Sequence, residues 1–167
     1  VCQFCDTDFV GTDGVNGGKF SSSQQLAAKL DELWPLREHE KRFVVFTGGE
    51  PFLQLDQALI TATKECGFEI AVETNGTIQS PEGIDWVCVS PKAGSELLVN
   101  QGDELKLVYP QEGVDPKSFT HLPFSYFYLQ PMYGPNLTEN TRQAIAYCMA
   151  EPIWRLSIQT HKIVGIS

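Results

Sequence analysis

Two thiols stand three positions apart near the start of the sequence, Cys2 and Cys5 in VCQFCDTDF. A CxxC pair can be half of a zinc site, a redox dithiol, or part of the ligand set of an iron–sulfur cluster. A zinc site needs two further Cys or His ligands, and the histidines, His39, His121 and His161, stand at no finger-like spacing. A thioredoxin-like dithiol opens a helix after a strand, whereas CDTDFVGTDG runs on into a glycine-rich loop. The pair invites a metal without naming it. The other thiols sit in apolar surroundings: Cys66 in TATKECGF, Cys88 in WVCVS and Cys148 in IAYCMAE. They are expected to act as small core hydrophobes.

A second set of residues carries ligand-binding potential. In TGGEP (47–51), Gly48 and Gly49 let backbone N–H and C=O groups approach a ligand with no Cβ in the way, and Thr47 and Glu50 flank them. Taken alone, the same residues make an ordinary strand-to-helix turn. Glu73 and Asn75 of ETNG offer a carboxylate and an amide for hydroxyl or heterocycle N–H groups, although Asn-Gly is by itself only a turn signal. Ser90 and Lys92 flank Pro91 and suit a carboxylate; a solvated lysine is the plainer reading. Gln130, Pro131, Met132 and Tyr133 pair an amide with an aromatic that could read and stack on an adenine, or simply pack. His161, in QTHK, would by default be a surface histidine.

These residues need a scaffold, and the apolar pattern predicts one. FVVF (43–46), FEIAVE (68–73), WVCVS (86–90), ELKLVY (104–109), FSYFYL (124–129) and RLSIQ (155–159) read as six short strands rich in β-branched and aromatic residues. Leu26, Ala27, Leu30, Leu33 and Trp34 form a helical stripe with hydroxyl caps at 21–23 and Pro35 beyond it. A second helix is predicted over 56–66, with Leu59 and Ile60 inward and Gly67 as its stop, and a last one over 138–149, capped by Thr138 or a polar neighbour. The pattern predicts an α/β fold with a mostly parallel sheet. The connections after the second, third and fourth strands are too short for large helices, so helix cover is expected to be reduced. TGGEP, ETNG, SPK and QPMYG all fall at C-terminal strand ends, the rim on which parallel sheets build their ligand sites.

Composition narrows the partners. With 167 residues and 42% hydrophobic content, the chain is read as a single domain over 1–167. A formal charge of −9, from 12 Lys plus Arg against 21 Asp plus Glu, argues against phosphate-neutralising nucleic-acid binding and favours a small-molecule substrate. No apolar run reaches about 18 residues, as a membrane span would require, and no leader pattern opens the chain. A cytoplasmic location is expected.

As an ordered set, CQFCDT, TGGEP, ETNG, SPK, QPMYG and QTHK resemble the radical S-adenosylmethionine (SAM) superfamily and, within it, the 7-carboxy-7-deazaguanine synthases of queuosine biosynthesis. The resemblance spans essentially the whole chain. It implies a partial TIM-like barrel as the radical SAM core, and a [4Fe–4S] cluster on three cysteines, of which Cys2 and Cys5 match the last two. The family's first cysteine and opening strand have no counterpart here, so the core is expected to be incomplete at its N-terminus. The resemblance further implies that Thr7 ligates Mg2+. It implies that Phe4, Gly48, Gly49, Glu50, Asn75, Ser90, Pro91, Lys92 and Gln130 to Tyr133 meet SAM. Thr47, Glu73, His161 and the carboxylate of Ser167 are the implied substrate contacts. The implied reaction is a radical ring contraction of 6-carboxy-5,6,7,8-tetrahydropterin with loss of ammonia, which makes the enzyme a lyase. A flavodoxin- or ferredoxin-like reductant and a homodimer are expected on the same ground. The alternatives are a radical SAM activase of the glycyl-radical type and a non-catalytic zinc or redox module built on Cys2 and Cys5.

Overall fold

The computed structural model describes residues 14, 16–35 and 41–165. Within them the chain alternates helix and strand at first and then turns strand-rich. The helix α1 (Ser23–Leu33) precedes β1 (Arg42–Phe46), and α2 (Gln57–Glu65) precedes β2 (Phe68–Thr74). Next come β3 (Trp86–Val89), β4 (Gly102–Tyr109) and β5 (Phe124–Pro131), then α3 (Leu137–Ala150), β6 (Trp154–Leu156) and a short α4 (Thr160–Val164). Two single-turn 3₁₀ segments, Pro51–Leu53 and Pro116–Phe119, fill loops.

The six strands form one sheet in the order β1-β2-β3-β4-β5-β6, and every neighbouring pair is parallel. Strand order equal to chain order is the winding of a barrel, in contrast to the reversal of a doubly wound sheet. No α-helix lies between β2 and β3, between β3 and β4, or between β4 and β5. Reduced helix cover follows directly from those short connections.

Local signals explain the helix ends. The Ser22 hydroxyl accepts the Gln25 N–H to start α1, and Trp34 ends it in extended backbone before Pro35. The Asp56 carboxylate accepts the Leu59 N–H at 2.8 Å to start α2, and Gly67 follows its end at φ +80. The last long helix departs from expectation: it starts at Leu137 after Asn136, whose side chain makes no capping bond, and Thr138 is already inside it. The sixth strand is only Trp154–Leu156, paired with Phe127–Leu129 of β5, and it stops at Leu156 whereas RLSIQ predicts a strand to Gln159. The helix around His161 was not anticipated.

Alternation along the strands separates two faces. Val44, Phe46, Ile70, Val72, Val89, Leu105, Leu107, Leu129 and Trp154 share one cluster with Leu26, Leu59, Ile60 and Ala144 of the helices. Ile60, Ile70, Leu105, Leu107 and Leu129 are fully buried there, each burial stabilising the fold by about 1.5–3 kcal/mol. The opposite face, without helices among the described residues, carries Phe43, Val45, Glu73, Trp86, Cys88, Glu104, Lys106, Tyr126, Tyr128 and Arg155 by the same alternation. Among the described residues no helix is long and apolar enough to cross a membrane. Of the three cysteines expected in the core, Cys88 is buried, whereas Cys66 and Cys148 are only half-buried. Cys66 lies at the α2 cap, where its carbonyl accepts a hydrogen bond from Arg42 at 2.6 Å.

Candidate functional site

The parallel register brings the C-terminal ends of β1, β2, β3 and β5 to one rim, and TGGEP, ETNG, SPK and QPMY begin there. Gly48 adopts φ +122, and a Cβ built on Gly48 or Gly49 meets nothing within 4 Å. The backbone beside this strand end is therefore open to close approach, as a bound cofactor requires. Thr47 is exposed next to them.

Glu50 ties this loop to the next. One carboxylate oxygen accepts the Thr74 hydroxyl at 2.7 Å and the Phe52 N–H at 3.1 Å, and the other accepts the Asn75 N–H at 2.8 Å. The Asn75 side-chain oxygen is itself occupied, accepting the Thr77 N–H at 2.9 Å and hydroxyl at 2.6 Å, the geometry of an Asx turn. Glu50 and Asn75 thus brace two loops against each other, leaving backbone and the Asn75 amide nitrogen to meet a ligand. Gly76, φ +78, completes the turn where no other residue fits: a Cβ would lie 2.5 Å from Leu97 Cδ1 and 2.8 Å from Val89 Cγ1.

The SPK segment is fixed by a residue that sequence reasoning missed. Buried Gln111 accepts the Ala93 N–H at 3.2 Å and donates to the Pro91 carbonyl at 3.5 Å. Ser90 N donates to the Thr74 carbonyl at 2.7 Å, and Lys92 Nζ donates to the Ser90 hydroxyl at 2.7 Å. At β5, Gln130 and Pro131 are the last two strand residues, and the Met132 carbonyl accepts from Asn140 Nδ2 at 2.9 Å. Tyr133 is half-exposed, and the Lys162 ammonium lies 3.6 Å from its ring centroid, a cation–π contact. That contact brings α4, with exposed His161 on it, alongside the QPMY segment.

Below the rim, the helix-free face is polar and aromatic. Lys106 Nζ donates to Glu73 Oε1 at 2.7 Å, and Trp86 Nε1 donates to Glu104 Oε1 at 2.7 Å. Trp86 stacks on Tyr126 with centroids 5.9 Å apart, and the Arg155 guanidinium sits 4.9 Å from the Tyr126 centroid. Burial pushes the Cys88 thiol up to about 12, with Lys106 opposing and the Glu73 and Glu104 carboxylates adding to the rise. For Lys106 burial pulls downward, but the pull of Cys88, once ionised at high pH, and of the Glu73 and Glu104 carboxylates outweighs it and raises the ammonium above its ordinary value. The cue in the sequence was the alternation of ELKLVY and FSYFYL, which puts Glu104, Lys106, Tyr126 and Tyr128 on one face.

Cys2, Phe4, Cys5, Thr7 and Ser167 lie outside the described residues. Among the described residues no group of three His, Cys, Asp or Glu side chains is arranged to hold a metal. A cleft of about 430 Å³ lined by Gln79, Val87, Leu98, Gln101, Gly102 and Pro123 sits at the N-terminal ends of β3 and β4, away from the rim.

No family model matches the chain. Relatives do. A 7-carboxy-7-deazaguanine synthase of Caulobacter vibrioides is 58% identical over 166 residues, covering 99% of this chain and 79% of the relative. That of Bradyrhizobium diazoefficiens matches equally over the same shares, and that of Bordetella pertussis is 55% identical over 167 residues, again covering 99% and 79%. The crystal structure of QueE from Escherichia coli superposes with a TM-score of 0.63 at 30% identity, covering 83% of this chain and 64% of that one. With identities this high over nearly the whole chain, and the barrel-like sheet in common, this chain belongs to the 7-carboxy-7-deazaguanine synthase family.

Proposed function

We propose that the chain is a radical SAM lyase that contracts the ring of 6-carboxy-5,6,7,8-tetrahydropterin to 7-carboxy-7-deazaguanine with loss of ammonia. The observation that carries the reading is the gathering of four glycine- or polar-rich segments at one rim of a sequentially ordered parallel sheet, above a polar, helix-free face. Family membership supports the substrate reading.

The open backbone at Gly48 and Gly49 fits a cofactor that must approach a strand end closely. SAM would rest on Gly48, Gly49 and the braced backbone of Glu50 and Asn75, with Ser90, Pro91 and Lys92 near its carboxylate and Gln130, Pro131, Met132 and Tyr133 around its adenine. Thiolates are the donors an iron–sulfur cluster takes, so Cys2 and Cys5 would be two of the three thiolates that hold the [4Fe–4S] cluster, with Phe4 between them in sequence. Thr7 supplies a hard oxygen donor suited to Mg2+. When bound, cluster and SAM together supply the one-electron chemistry that removes a substrate hydrogen.

The protein's own residues bind and orient. Glu73 accepts N–H groups of the pterin ring, and Thr47 and His161 contact its polar periphery. The Lys92 ammonium offsets carboxylate charge in an acidic chain. Holding the reacting atoms at contact distance removes the entropic part of the barrier. A flavodoxin- or ferredoxin-like protein would deliver the electron, and a cytoplasmic homodimer is the working form. The test is anaerobic reconstitution of the full-length protein with iron and sulfide, followed by incubation with SAM, Mg2+, reductant and the carboxypterin. The deazaguanine product is expected, with little of it when Mg2+ is left out. A reconstituted cluster that cleaves SAM yet leaves the carboxypterin unchanged refutes the substrate assignment.

A further inference from the structure

The sheet's helix-free face contains an ion pair that no step above uses. Lys106 on β4 reaches Glu73 on β2 by passing over β3, whose residue in that row is Cys88: Glu73 pairs in register with Cys88, and Cys88 with Glu104, two residues before Lys106. A lysine stem can lie across a neighbouring strand only where that strand presents a small side chain, and the cysteine provides it. The Lys106 side chain is 16% exposed and that of Glu73 is 43% exposed, so the cation is withdrawn and the carboxylate faces outward. Burying an ammonium costs solvation energy that apolar packing would avoid, and this chain has few cations to spare, 12 against 21 acids. Among the described residues Glu73 Oε1 is held by Lys106 at 2.7 Å while Oε2 accepts no hydrogen bond. One oxygen is pinned and the other is presented.

We propose that Lys106 is a positioning residue for substrate: it fixes the Glu73 carboxylate in one rotamer, so that Oε2 accepts the N–H donors of a 2-amino-4-oxo heterocycle bound on the open face. The proposal rests on the reading of Glu73 as a substrate contact and extends it to a group that touches no substrate itself. A long carboxylate side chain left unpaired would sample several rotamers, and substrate binding would bear the cost of ordering it.

The experiment uses the reconstituted holoenzyme with SAM, Mg2+ and the carboxypterin, comparing Lys106→Met, Lys106→Arg, Glu73→Gln and the Lys106→Met/Glu73→Gln double variant. Lys106→Met keeps the apolar stem and is expected to raise KM for the carboxypterin about tenfold or more, with kcat changed less than about threefold, because only ordering of a binding group is lost. Lys106→Arg restores most of the affinity, and the double variant is no worse than the poorer single one. An unchanged KM in Lys106→Met, an arginine variant no better than methionine, or multiplicative effects in the double variant each overturn the proposal. If the unmutated holoenzyme forms no product, the substrate reading fails, and the pair is scored by melting of the same four proteins. Strictly additive losses of Tm overturn the pairing, and a double variant no less stable than the weaker single one sustains it.

Discussion

Removing the Glu50 carboxylate should uncouple the two loops that flank the cofactor rim, and the structure sets the size of the effect. Glu50 accepts three hydrogen bonds, from Thr74 Oγ1 at 2.7 Å, Asn75 N at 2.8 Å and Phe52 N at 3.1 Å. Hydrogen bonds to a charged group contribute about 1.5–3 kcal/mol each when sheltered. Glu50 is half-buried, and water replaces part of what is lost, so about 1 kcal/mol per bond is the appropriate scale. Glu50→Ala should then cost about 3 kcal/mol, and for a chain of this size each kcal/mol lowers Tm by about 2–4 °C. A drop of about 6–12 °C is expected in a thermal melt. Glu50→Gln separates hydrogen bonding from bulk: its amide carbonyl can still accept from Thr74 or Phe52, but its NH2 would face the Asn75 N–H, donor against donor. About half the alanine effect is expected, together with weaker SAM binding in a filter or calorimetric assay. An alanine variant melting within about 1 °C of the unmutated protein would refute the bracing role, because among the described residues the side-chain hydrogen bonds between the two loops all go to Glu50.

Further outcomes follow from the same geometry. Gly76→Ala forces a Cβ to 2.8 Å from buried Val89 at φ +78 and should destabilise by about 2–4 kcal/mol, seen as a lower urea midpoint; a midpoint unchanged within error contradicts the close packing. Cys88 is neutral in the folded protein with its thiol at about 12, whereas an unfolded thiol ionises near about 8.5. Stability is therefore fully present below the unfolded value and falls as pH rises toward about 12, by at most about 1.4 kcal/mol per pH unit. Cys88→Ala should flatten that alkaline limb, and urea melts from pH 8 to 10.5 would show it; a slope identical to the unmutated protein's removes Cys88 as the source. Asp85 is the acid counterpart. Burial acts to raise its carboxyl, but the Ile70 N–H at 2.6 Å and the Lys64 ammonium together hold it below its ordinary value. Its contribution is present above the unfolded carboxyl value and lost as pH falls through the folded one, so Asp85→Asn should be less stable at neutral pH and show a shallower acid limb.

What was legible in the sequence was whatever is written locally. Each strand declared itself within a run of four to six residues by its apolar and aromatic content, and α1 and α2 were bounded by residues a few positions away, Ser22, Asp56 and Gly67. Where the deciding partner was distant, the reading slipped. β6 pairs with β5 only through Leu156, and Cys66 and Cys148 are half-buried where their apolar neighbours predicted core. Conversely, a five-residue helix such as α4 has too few turns to show a period.

The site divides along the same line. Residue type and order alone nominated TGGEP, ETNG, SPK and QPMY, because glycines, amides and a lysine after apolar strands already imply a ligand-facing rim. Only the tertiary structure showed that the Glu50 carboxylate is spent on bracing, that Gln111 anchors Pro91 from 20 positions away, and that Lys106 crosses a strand to hold Glu73 33 positions distant. Those contacts depend on sheet register, and register is settled by the packing of a whole face against α1, α2 and α3, which no local stretch of sequence encodes.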